Sequence, residues 1–153
     1  MNYHSLSPLY LAILNDKPEC VDLLLENGAT AFNDGSDREK DRSPIFLAIR
    51  KEQKETLTSI FDQMDTDQQM IKNSAGLTPV MFAAKNNYYE ALNVLVLLNS
   101  DSINEEDKNC MTILMHVLLA EEFNHKLAKR LIKRGADINH IDRNGNSVLI
   151  KLT

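Results

Sequence analysis

Catalysis or metal binding needs nucleophiles, bases or ligands that converge, so the histidines, cysteines and clustered carboxylates come first. Cys110 and His116 lie six residues apart, and no second pair completes a tetrahedral zinc set. His4, His125 and His140 fall on expected helix caps and loops. Asp62, Asp65 and Asp67, and then Glu105, Glu106 and Asp107, fall in expected connections, where they read as solubilising charge. Met81, Met111 and Met115 have the spacing of core side chains rather than of a cofactor box. The chain carries no G-x-S-x-G elbow, Walker phosphate loop, HExxH or EF-hand pattern. We therefore assign no catalytic residue, no metal ligand and no cofactor, and expect no enzymatic activity.

Composition narrows the class further. A chain of 153 residues is long enough to bury about 70% of the surface its unfolded form exposes. It is 43% hydrophobic and 25% charged, the balance of a globular protein. A net charge of -5 argues against a general nucleic-acid binder, because phosphate contacts need a basic face. Cys20 and Cys110 form no CxxC pair, which points to a reducing compartment without disulfides. The densest apolar run, Val94 to Leu98, is too short to cross a bilayer, and the N-terminus lacks a signal pattern. An intracellular protein is expected, in the cytoplasm first, with the nucleus or delivery into a host cell as alternatives.

The organising feature is a repeat. Ser7, Ser43, Thr78, Thr112 and Ser147 each precede an apolar helix start, at successive spacings of 36, 35, 34 and 35 residues. Three copies read Ser7-Pro8-Leu9-Tyr10-Leu11-Ala12, Ser43-Pro44-Ile45-Phe46-Leu47-Ala48 and Thr78-Pro79-Val80-Met81-Phe82-Ala83. Weaker copies start at Thr112 and Ser147. The hydroxyl caps the helix, proline fits its first turn, and the small alanine lets a paired helix approach closely. Glu19, Glu55 and Glu90, each twelve residues past its Ser/Thr, open second helices; Leu127 with Leu131 and Ile132 plays that part after a longer loop. Asn27-Gly28-Ala29 and Arg134-Gly135-Ala136 read as left-handed helix stops, and Asn73 to Thr78 and Asp142 to Ser147 as turns.

This combination resembles the ankyrin-repeat family over essentially the whole chain. The resemblance implies one all-α domain over 1–153, a solenoid of helix-turn-helix units joined by short β-hairpins or turns. The units run approximately 3–34, 35–72, 73–106 and 107–140, with a partial fifth at 141–153. The departures are specific. The histidine slot of the family signature holds Tyr10, Phe46, Met81, Met115 and Ile150, so its bracing hydrogen bond is expected to be absent throughout. The second unit lacks a glycine stop and runs through an irregular acidic connection, Asp65 to Ile71, while Asn99 stands in for the stop of the third. The first finger, Phe32 to Arg42, is long and charged. The fifth unit breaks off after its first helix, which reads as a piece of a longer array.

In the family, the finger tips and first helices line a concave binding side. Repeat offsets place Leu11, Leu14, Leu47, Arg50, Lys51, Phe82, Lys85, Asn86 and His116 near it, with Lys108 and Met111 from a finger tip. Arg38, Lys40 and Arg42 extend it. The result is a basic centre with an aromatic and methionine-rich rim inside an acidic protein. It suits an acidic or amphipathic peptide of another protein, with no nucleic acid, membrane insertion or small-molecule substrate expected. The basic outer cluster Lys126, Lys129, Arg130, Lys133 and Arg134 reads as a solvated face. The leading expectation is thus a protein-interaction module, an adaptor, scaffold or targeting domain. The alternative is a regulatory segment of a larger enzyme or transporter; a free-standing effector and a plain structural spacer stand behind it.

Overall fold

The structure, a computed structural model, describes residues 6–32, 41–92 and 103–147. Its helices alternate between an inner and an outer row. The inner helices are α1 (Pro8–Leu14), α3 (Pro44–Arg50), α6 (Pro79–Lys85) and α7 (Ile113–Leu119), each seven residues long. The outer ones are α2 (Pro18–Glu26), α4 (Lys54–Gln63), the helical turn at 89–92 and α8 (His125–Lys133), with a one-turn helix α5 (Thr66–Gln69) after α4.

Local chemistry sets both ends of the inner helices. Pro8, Pro44 and Pro79 occupy the first turn, each preceded by a Ser or Thr in extended conformation. The hydroxyl caps its helix at Ser7, which accepts from the Tyr10 amide at 3.1 Å, and at Thr78, which accepts from Met81 at 3.4 Å. Ser43 and Thr112 make no such bond to their helices, and Thr112 Oγ1 is buried without a partner. The exits of α1, α3 and α6 are left-handed turns at Asp16, Glu52 and Asn87, with φ of 53°, 54° and 59°, whereas α7 leaves through extended Ala120, with φ of -65°. None of those left-handed residues is glycine, although a Cβ there costs about 1 kcal/mol or more. The fold recovers that cost through the next amide: Lys17, Gln53 and Tyr88 donate back to the carbonyls of Ala12, Ala48 and Ala83 at 3.0–3.1 Å. The motif alanine therefore both admits a close neighbour and closes its own helix.

The outer helices α2 and α8 do stop at glycine, Gly28 (φ 85°) and Gly135 (φ 94°). The connection after α4 is more ordered than its sequence suggests: α5 is held by a reciprocal capping box, the Gln68 amide on Asp65 Oδ1 at 2.8 Å and the Asp65 amide on Gln68 Oε1 at 3.2 Å. Asn99 and residues 33–40 of the first finger lie outside the described residues.

Fingers join the outer helices to the next inner ones, and the three that the described residues contain in full are turns around one buried polar side chain. Asn73, Asp107 and Asp142 stand five residues before Thr78, Thr112 and Ser147. Each accepts two backbone amides on one oxygen at 2.7–3.0 Å. They are only 6–8% exposed, so Asp107 is a structural acceptor and not a solubilising charge. Its other oxygen lies 3.1 Å from His116 Nε2, also buried. The turn of this unit is thus braced by a histidine after all, from the position next to the expected slot. Among the described residues the fingers form no sheet, only an isolated bridge between Ile141 and Ser147. They stack instead: the Lys108 amide donates to Ala75 at 3.3 Å and the Arg143 amide to Asn109 at 2.9 Å. Gly76 (φ 78°) lies under this contact, where a Cβ would fall 2.7 Å from the Lys108 nitrogen. Cys110 (φ 57°) occupies the matching left-handed position of the next finger, and Gly145 that of the one after.

Packing runs along the array. α1 packs on α3, α3 on α6 and α6 on α7, while α2 packs on α4. Phe46, Phe61, Ile13, Ile49, Leu57, Ile60, Met81 and Leu92 are fully buried between these layers. The inter-helix turns are stapled to their neighbours. Gln53 Nε2 donates to Ile13 O and to Asp16 Oδ1, both at 3.0 Å, and the Tyr88 hydroxyl to Glu52 O at 2.9 Å. The Tyr89 hydroxyl donates to Glu122 O in the longer loop before α8. Burial, reinforced by Glu90, Glu52 and Glu55, pushes the Tyr88 hydroxyl from 10.0 up to about 12.

Three outcomes follow for unfolding measured in urea. Gly76→Ala destabilises by more than about 1 kcal/mol through both the left-handed φ and the clash, while Cys110→Gly stabilises by about 0.5–1 kcal/mol. Thr78→Val loses about 1 kcal/mol of cap, whereas Thr112→Val loses nothing, because it removes a buried hydroxyl that bonds nothing. The Tyr88 proton is held more tightly in the folded chain than in the unfolded one. Its contribution is therefore complete below pH 10.0 and falls as pH rises toward about 12. Tyr88→Phe removes that alkaline slope and lowers stability by about 1 kcal/mol at neutral pH by orphaning the Glu52 carbonyl.

Candidate functional site

Where the second finger meets α3 and α6, the side chains leave a hollow of about 370 Å³. Its floor is apolar: Leu77, at 2% exposure, and Phe82, half-buried with its ring edge on Phe46 at a centroid distance of 5.2 Å and 79° between planes. The edge-to-face contact fixes the Phe82 ring, because an aromatic quadrupole favours that geometry. Along the helix side stand Arg50 and Lys85, the last residues of their inner helices, and Asn86, which caps α6, all of them exposed. Asn86 donates Nδ2 to the Phe82 carbonyl at 2.7 Å, so its amide is oriented by the helix end. Arg50 Nη1 reaches the Asp41 carbonyl at 3.3 Å, which turns the guanidinium toward the finger.

The finger side is built from two units. Asp41 accepts the Ser74 amide on Oδ1 at 2.9 Å and the Ser74 hydroxyl on Oδ2 at 2.5 Å. The one carboxylate in the lining is thus committed to two donors, and two cations remain over an apolar floor. The arrangement holds an acceptor-rich, partly apolar chain: Arg50 offers a planar fork for a carboxylate and Lys85 a point charge, beside an aromatic surface. Among the described residues no group of three His, Cys, Asp or Glu is placed to hold a metal ion.

The sequence-expected residues divide accordingly. Arg50, Phe82, Lys85 and Asn86 come together in this hollow. Lys51 is exposed one residue on, with Nζ 3.4 Å from the Leu14 carbonyl of the preceding unit. Leu11 and Leu14 are half-buried on α1, Arg42 and Lys108 are exposed, and Met111 is half-buried beneath its finger. Leu47 is 5% exposed and His116 7%, and His116 is turned onto Asp107; both are core side chains with almost no surface to offer a partner. Arg38 and Lys40 lie outside the described residues. Asp41 and Ser74 were not expected in the lining, since their pairing joins residues 33 apart. The Asn or Asp five residues ahead of Thr78, Thr112 and Ser147 is the signal that would have located the finger turn.

A family model for ankyrin repeats, three copies, matches residues 9–107. No curated protein sequence matches the chain. Among solved structures, the ankyrin repeat domain of Bcl-3, described as a unique member of the IkappaB protein family, is similar with a TM-score of 0.74 and 24% identity. That match covers 94% of this chain and 61% of the other, so the chain spans under two thirds of that domain's length. EF0377, an ankyrin repeat protein, is similar with a TM-score of 0.76 and 22% identity, covering 97% of this chain and 74% of the other. No helix among the described residues is long and apolar enough to cross a membrane. Stacked helix pairs, turn fingers in register and a family match over most of the length agree: the chain belongs to the ankyrin-repeat family.

Proposed function

We propose that this chain binds an acidic or amphipathic peptide segment of another protein in the groove between its fingers and inner helices. Ankyrin arrays are in general protein–protein interaction modules that present extended surfaces along the stack. The observation that carries the finer reading is the hollow itself, with Arg50 and Lys85 exposed over Leu77 and a fixed Phe82. Arg50 and Lys85 take the carboxylates, and Phe82 takes an adjacent apolar side chain. Arg42 and Lys51 extend the positive field along the groove, Lys108 and Met111 continue it at the next finger, and Leu11 and Leu14 form its N-terminal apolar end. Leu47 and His116 support this surface from beneath. The unit boundaries near 35, 73, 107 and 141 put the hollow at the junction of the second and third units. The free cysteines, Cys20 and Cys110, suit work in the reducing cytoplasm.

Replacing Arg50, Lys51 and Lys85 together by Glu tests the reading. All three are exposed, so circular dichroism and the urea midpoint stay close to those of the parent chain. Proteins captured from a lysate by the parent chain are expected to fall by about tenfold or more with the reversed chain, and to fall steeply with salt for the parent. Equal capture by both chains rejects the groove as the site.

A further inference from the structure

The surface pattern at the C-terminal end differs from the rest of the molecule. Six large hydrophobic side chains are strongly exposed among the described residues, and five of them, Leu119, Phe123, Ile132, Ile138 and Ile141, lie there. Phe123 and Ile132, 49% and 47% exposed, border a groove of about 520 Å³ together with Leu118 and Ala128, and Lys129 and Lys133 stand on its rim. This groove is formed by α7, α8 and the loop between them, the last helix pair among the described residues, and shares no lining residue with the hollow of Arg50 and Lys85.

Register within the repeat identifies what fits. Aligning the two glycine stops, Gly28 and Gly135, puts Ile132 at the position of Leu25 and Ala128 at that of Val21. Leu25 is 6% exposed on α2, which packs against α4. Leu118 occupies the inner-helix position held by Ile13, Ile49 and Ala84, each 0% exposed, yet it is only half-buried. The face therefore has the form that a helix covers elsewhere in the array. Its charge is inverted: Lys129 and Lys133 stand where α2 has Asp22 and Glu26. α8 contains four Lys/Arg and no carboxylate, and neither Lys129 nor Lys133 has an ion-pair partner among the described residues. A covering helix with basic or neutral flanks would leave these ammonium groups facing apolar surface or like charge; one with acidic flanks pairs them at the rim.

We propose that this end face is a second docking site, which receives an amphipathic helix of a partner protein with an apolar stripe and acidic flanks. The stripe lies on Phe123, Ala128 and Ile132, and the flanking carboxylates meet Lys129 and Lys133. The docked helix takes the place over α8 that α4 takes over α2. Helix-in-groove recognition of this kind reads side chains at i, i+3/i+4 and i+7.

The test titrates the full chain with a fluorescent helical peptide carrying a leucine stripe and glutamate flanks. Controls are the same stripe with lysine flanks and a scrambled peptide. Saturable binding of the glutamate-flanked peptide is expected, weakened about tenfold or more by Phe123→Ser with Ile132→Ser. Lys129→Glu with Lys133→Glu is expected to weaken it similarly and to create binding of the lysine-flanked peptide. These four side chains are exposed, and the charge pair gives a second route should the apolar pair disturb folding. The Arg50, Lys51 and Lys85 reversal leaves this binding unchanged, which separates the two sites. The proposal is overturned if the glutamate-flanked peptide binds no better than the scrambled one, or if only the groove reversal abolishes binding. Concentration-dependent self-association that Phe123→Ser removes would assign the face to a second copy. Binding that emerges only after deletion of residues 148–153 would assign it to the chain's own end; either result also overturns the proposal.

Discussion

A helix of seven residues has no stability of its own in water, because nucleation costs more than two turns of hydrogen bonds return. The four inner helices among the described residues have that length. What makes them persist is contact with the next copy, α1 under α3, α3 under α6 and α6 under α7, so that residues such as Ile13, Ile49 and Ala84 lose all exposure. Most other features serve this stacking. The exits of the first three inner helices share one tight turn, so that successive pairs superpose, and the described fingers repeat at the same rise. A left-handed turn at Asp16, Glu52 or Asn87 is tolerable because the amide that follows it closes the helix onto the motif alanine.

The fingers obey the same demand with polar chemistry. Buried Asn73, Asp107 and Asp142 each collect two amides that the turn would otherwise leave unpaired, and the turns then lie close enough for backbone bonds between fingers. His116 against Asp107 belongs to this framework: a buried carboxylate is held by a neighbouring ring that is itself part of the core. Residues that look chemically eligible in one dimension are thereby consumed in holding a turn.

Charge shows the opposite case, surface freed for use. The chain is acidic overall, with a net charge of -5, yet the groove between α3 and α6 presents two cations, and its one lining carboxylate is bonded to Ser74. Solenoids permit this because distant units contribute to one surface without sharing a core. Net charge averages over faces that never meet the same partner. The basic α8 and the acidic α2 occupy equivalent positions in the register, so charge on this scaffold is assigned unit by unit.

The sequence alone determined the periodic elements: where inner helices begin, because Ser/Thr-Pro encodes a start, where α2 and α8 stop, because glycine encodes a left-handed exit, and hence the fold. Offset counting also brought Arg50, Phe82, Lys85 and Asn86 to one place, since equal offsets in adjacent units lie side by side. Tertiary structure decided what depends on the neighbour. Leu47 and His116 sit on the first helices as expected, but an adjacent unit or finger covers them, and no property of their own helix reveals this. Asp41 enters the groove through Ser74 of the following unit, and Ile132 is exposed at the register position where Leu25 is buried. Local propensity is written within a few residues, whereas burial and pairing are set by surfaces about 35 residues away along the chain.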